Sequence, residues 1–381
     1  MKNLHLNIII FTFLALFFST IVVGQQNLDK FNSLYKQGSF NEAAQEIDRL
    51  IMGKTDAGSM LYYYKSDVNL ILFKNTSPKN YSYLNSASIS MSLSLSQKDY
   101  TTNKQTIDPL MYTIGKECFI VGAGEYNNGN FKGAQNYFQY TVTFYQTSGK
   151  TSELSQIMFY LALSSYYNKD LTVAQKYLQI LASQNYNESE VYLLLAEIYR
   201  NQNQLQKAID VLVNTQKLSL KNNDKILREL IFLYIDLKNY DDALEAINLF
   251  KTKYNPDYEI IFNEGVIYYQ RNMMEPAITA FKKVLTMEPS HFSANYNLGI
   301  IYYNNSIAIM KNAEENYYGN PDKYRAEKDK YLENIKISLS YMEKSHAVEG
   351  GDMNTVSCLA DIYKRLQRME EYNSMLKMLE K

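Results

Sequence analysis

His291, His346, Cys118 and Cys358, together with adjacent carboxylates such as Asp241-Asp242 and Glu314-Glu315, are the side chains of this chain best suited by type to do chemistry. Catalysis needs such groups to converge with tuned protonation. His291 lies just after Pro289, at a junction between elements, and His346 on a late helix, neither with a Cys or Ser nucleophile at an informative spacing. The carboxylate pairs start or flank helices, where they complement the helix dipole or face water. No H-E-x-x-H, G-x-S-x-G, EF-hand loop or G-x-x-x-x-G-K-[ST] is present, and Gly122-Ala123-Gly124 is embedded in a helical pattern rather than a phosphate loop. The two cysteines, 240 residues apart in segments that read as helix interiors, are expected as buried, unpaired thiols. The expectation is a protein that is not an enzyme and carries no cofactor or metal.

Composition bounds the elements that position these groups. Lys and Arg number 39 against 40 Asp and Glu, a formal net charge of −1 that marks neither a nucleic-acid binder nor a polybasic membrane module. A hydrophobic content of 46% rules out wholesale disorder, and 15 Gly with 6 Pro leave few turn makers for an all-β domain. The chain should therefore be mostly helical. Its 35 Tyr and 17 Phe, with no Trp, are a compositional bias first and functional evidence only where position supports it.

Met1–Gln26 reads as an address. Lys2 forms a minimal basic region, Ile8–Phe18 is apolar apart from Thr12, and Val22 and Gly24 supply small residues at the −3 and −1 positions of a signal-peptidase site. Cleavage before Gln25 would leave 38 cations against 40 anions, a net charge of −2, and a soluble periplasmic chain. No Cys near the cleavage point would carry a lipid. The alternative is an uncleaved anchor, since Leu4–Val23 approaches the roughly 20 residues that span a bilayer.

Small residues recur at Ala174, Ala208, Ala243 and Ala277, in steps of 34, 35 and 34, and Tyr199, Tyr234, Tyr268 and Tyr302 follow in steps of 35, 34 and 34. Gly265 and Gly299 are also 34 apart. The best unit, Tyr258–His291, carries Gly265 at its eighth position, Tyr268 at its eleventh, Ala277 at its twentieth, Phe281 at its twenty-fourth and Pro289 at its thirty-second. Asn297-Leu298-Gly299-Ile300-Ile301-Tyr302 opens the next with L-G-x-x-Y. This pattern resembles the tetratricopeptide repeat (TPR), and the leader and an inserted unit resemble exported TPR proteins of Bacteroidota. No unit has the family's Trp, and Glu264 stands where Leu is usual. The resemblance implies an all-α, right-handed superhelical solenoid of antiparallel helix pairs, in which small residues permit close approach and stacked neighbours bury each other's apolar faces.

The boundaries that follow are a signal peptide over 1–24, degenerate hairpins over 25–112, a regular array over 113–303, an inserted helical extension over 304–335, and a last unit with capping helices over 336–381. A step of 40 from Ala134 to Ala174 predicts a longer connection at Thr147–Ser155. Ser86–Ser96 alternates as a strand would, yet Leu84, Ala87, Met91 and Leu95 share a helical face, and a lone strand would find no partner. Helix is the reading adopted. Asn304–Leu332 reads as extensions of both helices of one hairpin, broken at Asn320-Pro321-Asp322.

In the TPR family the groove is lined by positions two, five, nine and twelve of the first helices. Transferred onto this chain, the resemblance gives Phe119, Tyr126, Phe159, Tyr166, Glu197, Arg200, Arg228, Phe232, Phe262, Tyr269, Tyr296 and Tyr303. Such a row suits an extended peptide or a helix, although each residue could instead pack against a neighbouring repeat. The Lys and Asn clamp for C-terminal carboxylates is absent, with Phe159 and Leu193 at its positions. The function expected is a periplasmic scaffold that binds another envelope protein through the groove, the projecting hairpin or both, as a helper of an outer-membrane assembly, secretion or transport complex. No nucleic acid or small-molecule substrate is expected, and membrane association only through a partner. The alternative is a glycan- or nutrient-binding envelope protein, whose relatives resemble lipoproteins with Trp platforms that this chain lacks.

Overall fold

Helix follows helix wherever the chain is described. The computed structural model describes residues 28–54, 56–218 and 220–380; the leader, and with it the cleavage site before Gln25, lies outside them. These residues form eighteen α-helices and one short 3-10 turn, with no strand among the described residues, and fall into two units divided at Tyr186/Asn187. No helix among the described residues is long and apolar enough to cross a membrane.

The first unit pairs α1 (Asp29–Lys36) with α2 (Phe40–Ile51), α3 (Ser59–Asn75) with α4 (Tyr81–Leu95), α5 (Tyr100–Asn127) with α6 (Phe131–Ser148), and α7 (Leu154–Tyr167) with α8 (Leu171–Ser183). The second pairs α9 (Ser189–Asn201) with α10 (Leu205–Val213), α11 (Asn223–Asp236) with α12 (Tyr240–Lys253), α13 (Tyr258–Gln270) with α14 (Met274–Met287), α15 (Phe292–Asn316) with α16 (Pro321–Val348), and α17 (Met353–Arg365) with α18 (Met369–Leu379). Each unit is thus an all-α stack of helical hairpins whose cores pass from one pair to the next. Ile261, Phe281, Val284, Leu298 and Ile301, for example, form one buried cluster across α13, α14 and α15.

The ruler residues behave as their sizes require. Ala174, Ala208, Ala243 and Ala277 are wholly buried. A Cβ on Gly265 would stand 2.7 Å from the Phe281 ring, and one on Gly299 2.8 Å from Met342. Gly122 is confined less tightly, with Phe138 at 3.1 Å. A side chain at any of these positions would require its neighbour to shift, most of all at Gly265 against the Phe281 ring.

The turn inside several hairpins repeats as well. Lys169, Asn203, Lys238, Asn272 and Gln367 all adopt left-handed backbone angles, with φ between 57° and 62°. The N–H after each reaches back five residues, as in Gln204 N–H to Tyr199 O and Met273 N–H to Tyr268 O, both 2.8 Å. That is the Schellman closure of a helix C-terminus. The next helix then starts on a side-chain cap at several hairpins, as where Asp170 accepts from the Val173 N–H and Asn239 from the Asp242 N–H.

The serine-rich stretch is the helix α4. Leu84, Ala87 and Met91 are fully buried at helical spacing, while Ser88 and Ser92 donate to carbonyls one turn earlier, so the hydroxyls are satisfied without leaving the helix. The 40-residue step is absorbed differently from expected. Helix α6 runs on to Ser148, and the connection to α7 is only residues 149–153. Helix α5 continues unbroken through 112/113 despite Pro109, because Ile107, Met111, Ile114 and Cys118 keep one buried face across it.

Past Tyr302 both helices of the α15/α16 hairpin lengthen, to 25 and 28 residues. Tyr302 stacks on Tyr341 and Ser338 donates to the Gly299 carbonyl, holding the base. At the far end Asn320 caps α16, Pro321 fills its first position, and Tyr318 is 86% exposed.

Candidate functional site

The twelve residues transferred from the family pattern all stand on first helices: α5 and α7 in the first unit, and α9, α11, α13 and α15 in the second. Eleven are half-buried and Glu197 is exposed. Most already have partners.

In the first unit the partners are rings. Phe119 packs on Phe138 and Tyr160 at centroid distances of 5.9 and 6.4 Å, and Tyr126 packs on Phe131, Tyr160 and Tyr167 at 5.5–6.5 Å. Phe159 lies between Tyr160 and Tyr186, while Tyr166 meets Tyr167 edge-on. Tyr160 is therefore the bridge between α5 and α7. It sits one position beyond the family column, and composition alone gives no sign of that role.

In the second unit the same columns carry charge. Arg200 on α9 reaches Glu229 at 3.2 Å and Asp236 at 2.7 Å, both on α11. Arg228 on α11 lies over the Phe250 ring and reaches Asp257 at 2.6 Å and Glu259 at 3.3 Å, the start of α13. Asp257 also caps α13 through the Ile260 N–H. Burial raises its carboxyl, but the bonds from Arg228 and Ile260 outweigh this and hold it below the ordinary range. Glu229 goes the other way, because burial outweighs the pull of Arg200 and its carboxyl is raised.

Phe262 packs on Phe281 and on His291, at 5.6 and 4.9 Å. His291 is the cap of α15, its Nδ1 accepting from the Ala294 N–H, and burial lowers its basicity. Tyr296 stacks on Phe292 within the same helix. Tyr303 donates to Asp361 at 2.5 Å, and burial followed by that bond pushes its hydroxyl up to about 12. Phe232 is half-buried on α11.

One concavity of about 340 Å³ lies on this row, lined by Leu193, Glu197, Arg200, Asn201 and Glu229. Glu197 makes no ion pair among the described residues. Among the described residues no group of three His, Cys, Asp or Glu side chains is placed to hold a metal ion. Cys118 is free and buried beside Ser88, and Cys358 is free and half-buried; burial pushes both thiols up to about 12.

Tetratricopeptide-repeat family models match residues 160–212 and 258–291. A Drosophila melanogaster protein described as a BBSome complex member BBS4 homolog is 26% identical over 244 residues, 60% of this chain and 47% of its own length; the chain thus spans about half of that curated relative. Among solved structures, MamA is similar at 18% identity, covering 49% of this chain and 95% of its own, with a TM-score of 0.36. A TPR protein of Bacteroides fragilis is similar at 17% identity, covering 66% and 98%, with a TM-score of 0.31. YrrB, described as a TPR protein with an unusual peptide-binding site, is similar at 12% identity, covering 53% and 89%, with a TM-score of 0.37. The two matched segments lie on the same ruler as the hairpins around them, so the chain carries tetratricopeptide repeats over 160–212 and 258–291.

Proposed function

We propose that the chain is a non-enzymatic scaffold of the cell envelope, working in the periplasm, that holds a partner protein on its first-helix row. It would serve as a helper subunit of an outer-membrane assembly, secretion or transport complex. The observation that carries this reading is the repetition of half-buried aromatic and charged side chains at fixed columns of successive first helices. Such side chains combine large contact area with a small entropic cost of fixing them, the composition of binding hot spots. The fly relative's description as a member of a complex agrees with a scaffold role.

The test replaces Phe262 and Tyr269 by Ala in the full chain and captures partners from detergent-solubilised envelopes. The expected outcome is recovery of a defined partner by the natural chain and at least a ten-fold loss by the variant, with the helical circular dichroism unchanged. If the partner persists, and deletion of 305–332 removes it instead, the projecting hairpin is the binding element. N-terminal sequencing of the periplasmic fraction should begin at Gln25, in free or pyroglutamyl form. A full-length chain in the membrane fraction would replace export by anchoring.

A further inference from the structure

The concavity between α9 and α11 has a charge balance that selects its occupant. Two of its five lining side chains are carboxylates, Glu197 and Glu229, and one is the cation Arg200. Arg200 is already shared between Glu229 and Asp236, and Glu197 adds a further anion to the same concavity. Even with Lys225, one turn before Glu229 and exposed, anions outnumber cations. Glu197 is exposed and without an ion-pair partner among the described residues. Leu193 adds an apolar wall and Asn201 an amide. An apolar wall beside unbalanced carboxylates matches a side chain with a methylene stem and a cationic head, which buries its stem while its charge meets the anions.

We propose that this concavity receives a lysine or arginine side chain of the partner polypeptide held on the first-helix row. This rests on the scaffold reading and specifies its ligand, a basic rather than an acidic segment. Burial is the main reason the Glu229 carboxyl is raised, and the neighbouring charges of Glu197 and Asp236 push it the same way. The cation would be drawn by Glu197 and Glu229 together, and attraction between partly exposed charges weakens with salt.

The experiment uses the full chain and two fluorescein-labelled hexapeptides, alternating lysine–glycine and alternating glutamate–glycine, read by anisotropy at low and at physiological ionic strength. The lysine peptide should bind and the glutamate peptide should not. Glu197→Arg, at an exposed and unpaired position, should weaken the lysine peptide at least ten-fold while the melting curve stays unchanged. Glu197→Gln should give a smaller loss, and Glu333→Gln, on the long hairpin, none. Equal binding of both peptides, or a lysine peptide indifferent to Glu197→Arg, would overturn the proposal. If Phe262→Ala with Tyr269→Ala still removes the captured partner while Glu197→Arg leaves it, the scaffold reading stands and only the cation site falls. Loss of the lysine peptide on Glu197→Arg without loss by Glu333→Gln supports the site whatever the partner proves to be.

Discussion

The first-helix row is built in two ways within one chain. In the first unit, Phe119 and Tyr126 on α5 meet α7 through Tyr160, ring against ring. In the second, Arg200 and Arg228 cross from one first helix to the next as guanidinium–carboxylate pairs. The columns are the same. What differs is the force that spans them: apolar burial indifferent to salt, against charge pairing that salt screens. A column in this array thus fixes where a side chain stands and leaves open what joins it to its neighbour.

The sharpest way to break the comparison is at the hub of the ring network. Phe138 is fully buried, stacks on Tyr160 at 5.8 Å and lies against Gly122. Phe138→Ala should cost about 3–5 kcal/mol, read as a lower urea midpoint with lost amide-exchange protection in α5–α7. Because neighbouring repeats are coupled mainly to each other, protection in α11–α13 should change little, and the loss should be the same at low and high salt. A salt-dependent loss would show that the ring network is not what joins α5 to α7.

The charged junction should answer to salt and acid instead. Arg228→Ala removes two ion pairs and a contact over Phe250; with the guanidinium partly exposed, about 1 kcal/mol is expected at low ionic strength and less in ~1 M salt. Asp257 carries the pH dependence. Its folded carboxyl lies below the unfolded aspartate value of about 3.9. Its contribution is therefore complete above that value and is lost as pH falls through the folded one. Hydrogen exchange at the first turn of α13 should rise over that acid window, and Asp257→Asn should remove that rise. Asp67 in the first unit has the opposite sign. Burial raises its carboxyl, against the pull of Tyr35's hydrogen bond, so its charge weighs on the fold as pH rises rather than as it falls.

Much of this was legible before any coordinates. Small residues at a 34-residue pitch can only mean repeated close approaches, and Gly265 against Phe281 and Gly299 against Met342 are those approaches. Asn320-Pro321 announces a helix start in any context, and it caps α16. The joining of repeats was not legible, because it depends on residues outside the family columns. Tyr160 stands one position past its column, and Glu229 and Asp236 lie on α11 facing an arginine about 30 residues earlier. Spacing predicts which side chains share a face; it does not predict which of two neighbours each will choose. The length of α6 was missed for a related reason, since a helix and a loop of equal residue count give the same step.

The smallest effect lies in the turns and separates sequence bias from structural need. Gly129 closes the α5/α6 turn of the first unit with φ of 76°, while Lys238 closes the α11/α12 turn of the second with φ of 57°. Left-handed angles cost an L-residue roughly 1–2 kcal/mol, whereas glycine gives up about 0.5–1 kcal/mol of extra freedom on folding. Lys238→Gly should therefore stabilise by about 0.5 kcal/mol, and Gly129→Lys should destabilise by a similar or slightly larger amount. Urea titration of both single variants and of the double swap measures this. The two sites lie in different units and share no partner among the described residues, so their effects should add. A Lys238→Gly variant that loses stability would show that the lysine side chain makes a contact worth more than the strain of its backbone. The turn would then belong with the charged junctions of its own unit rather than with the glycine turn of the first.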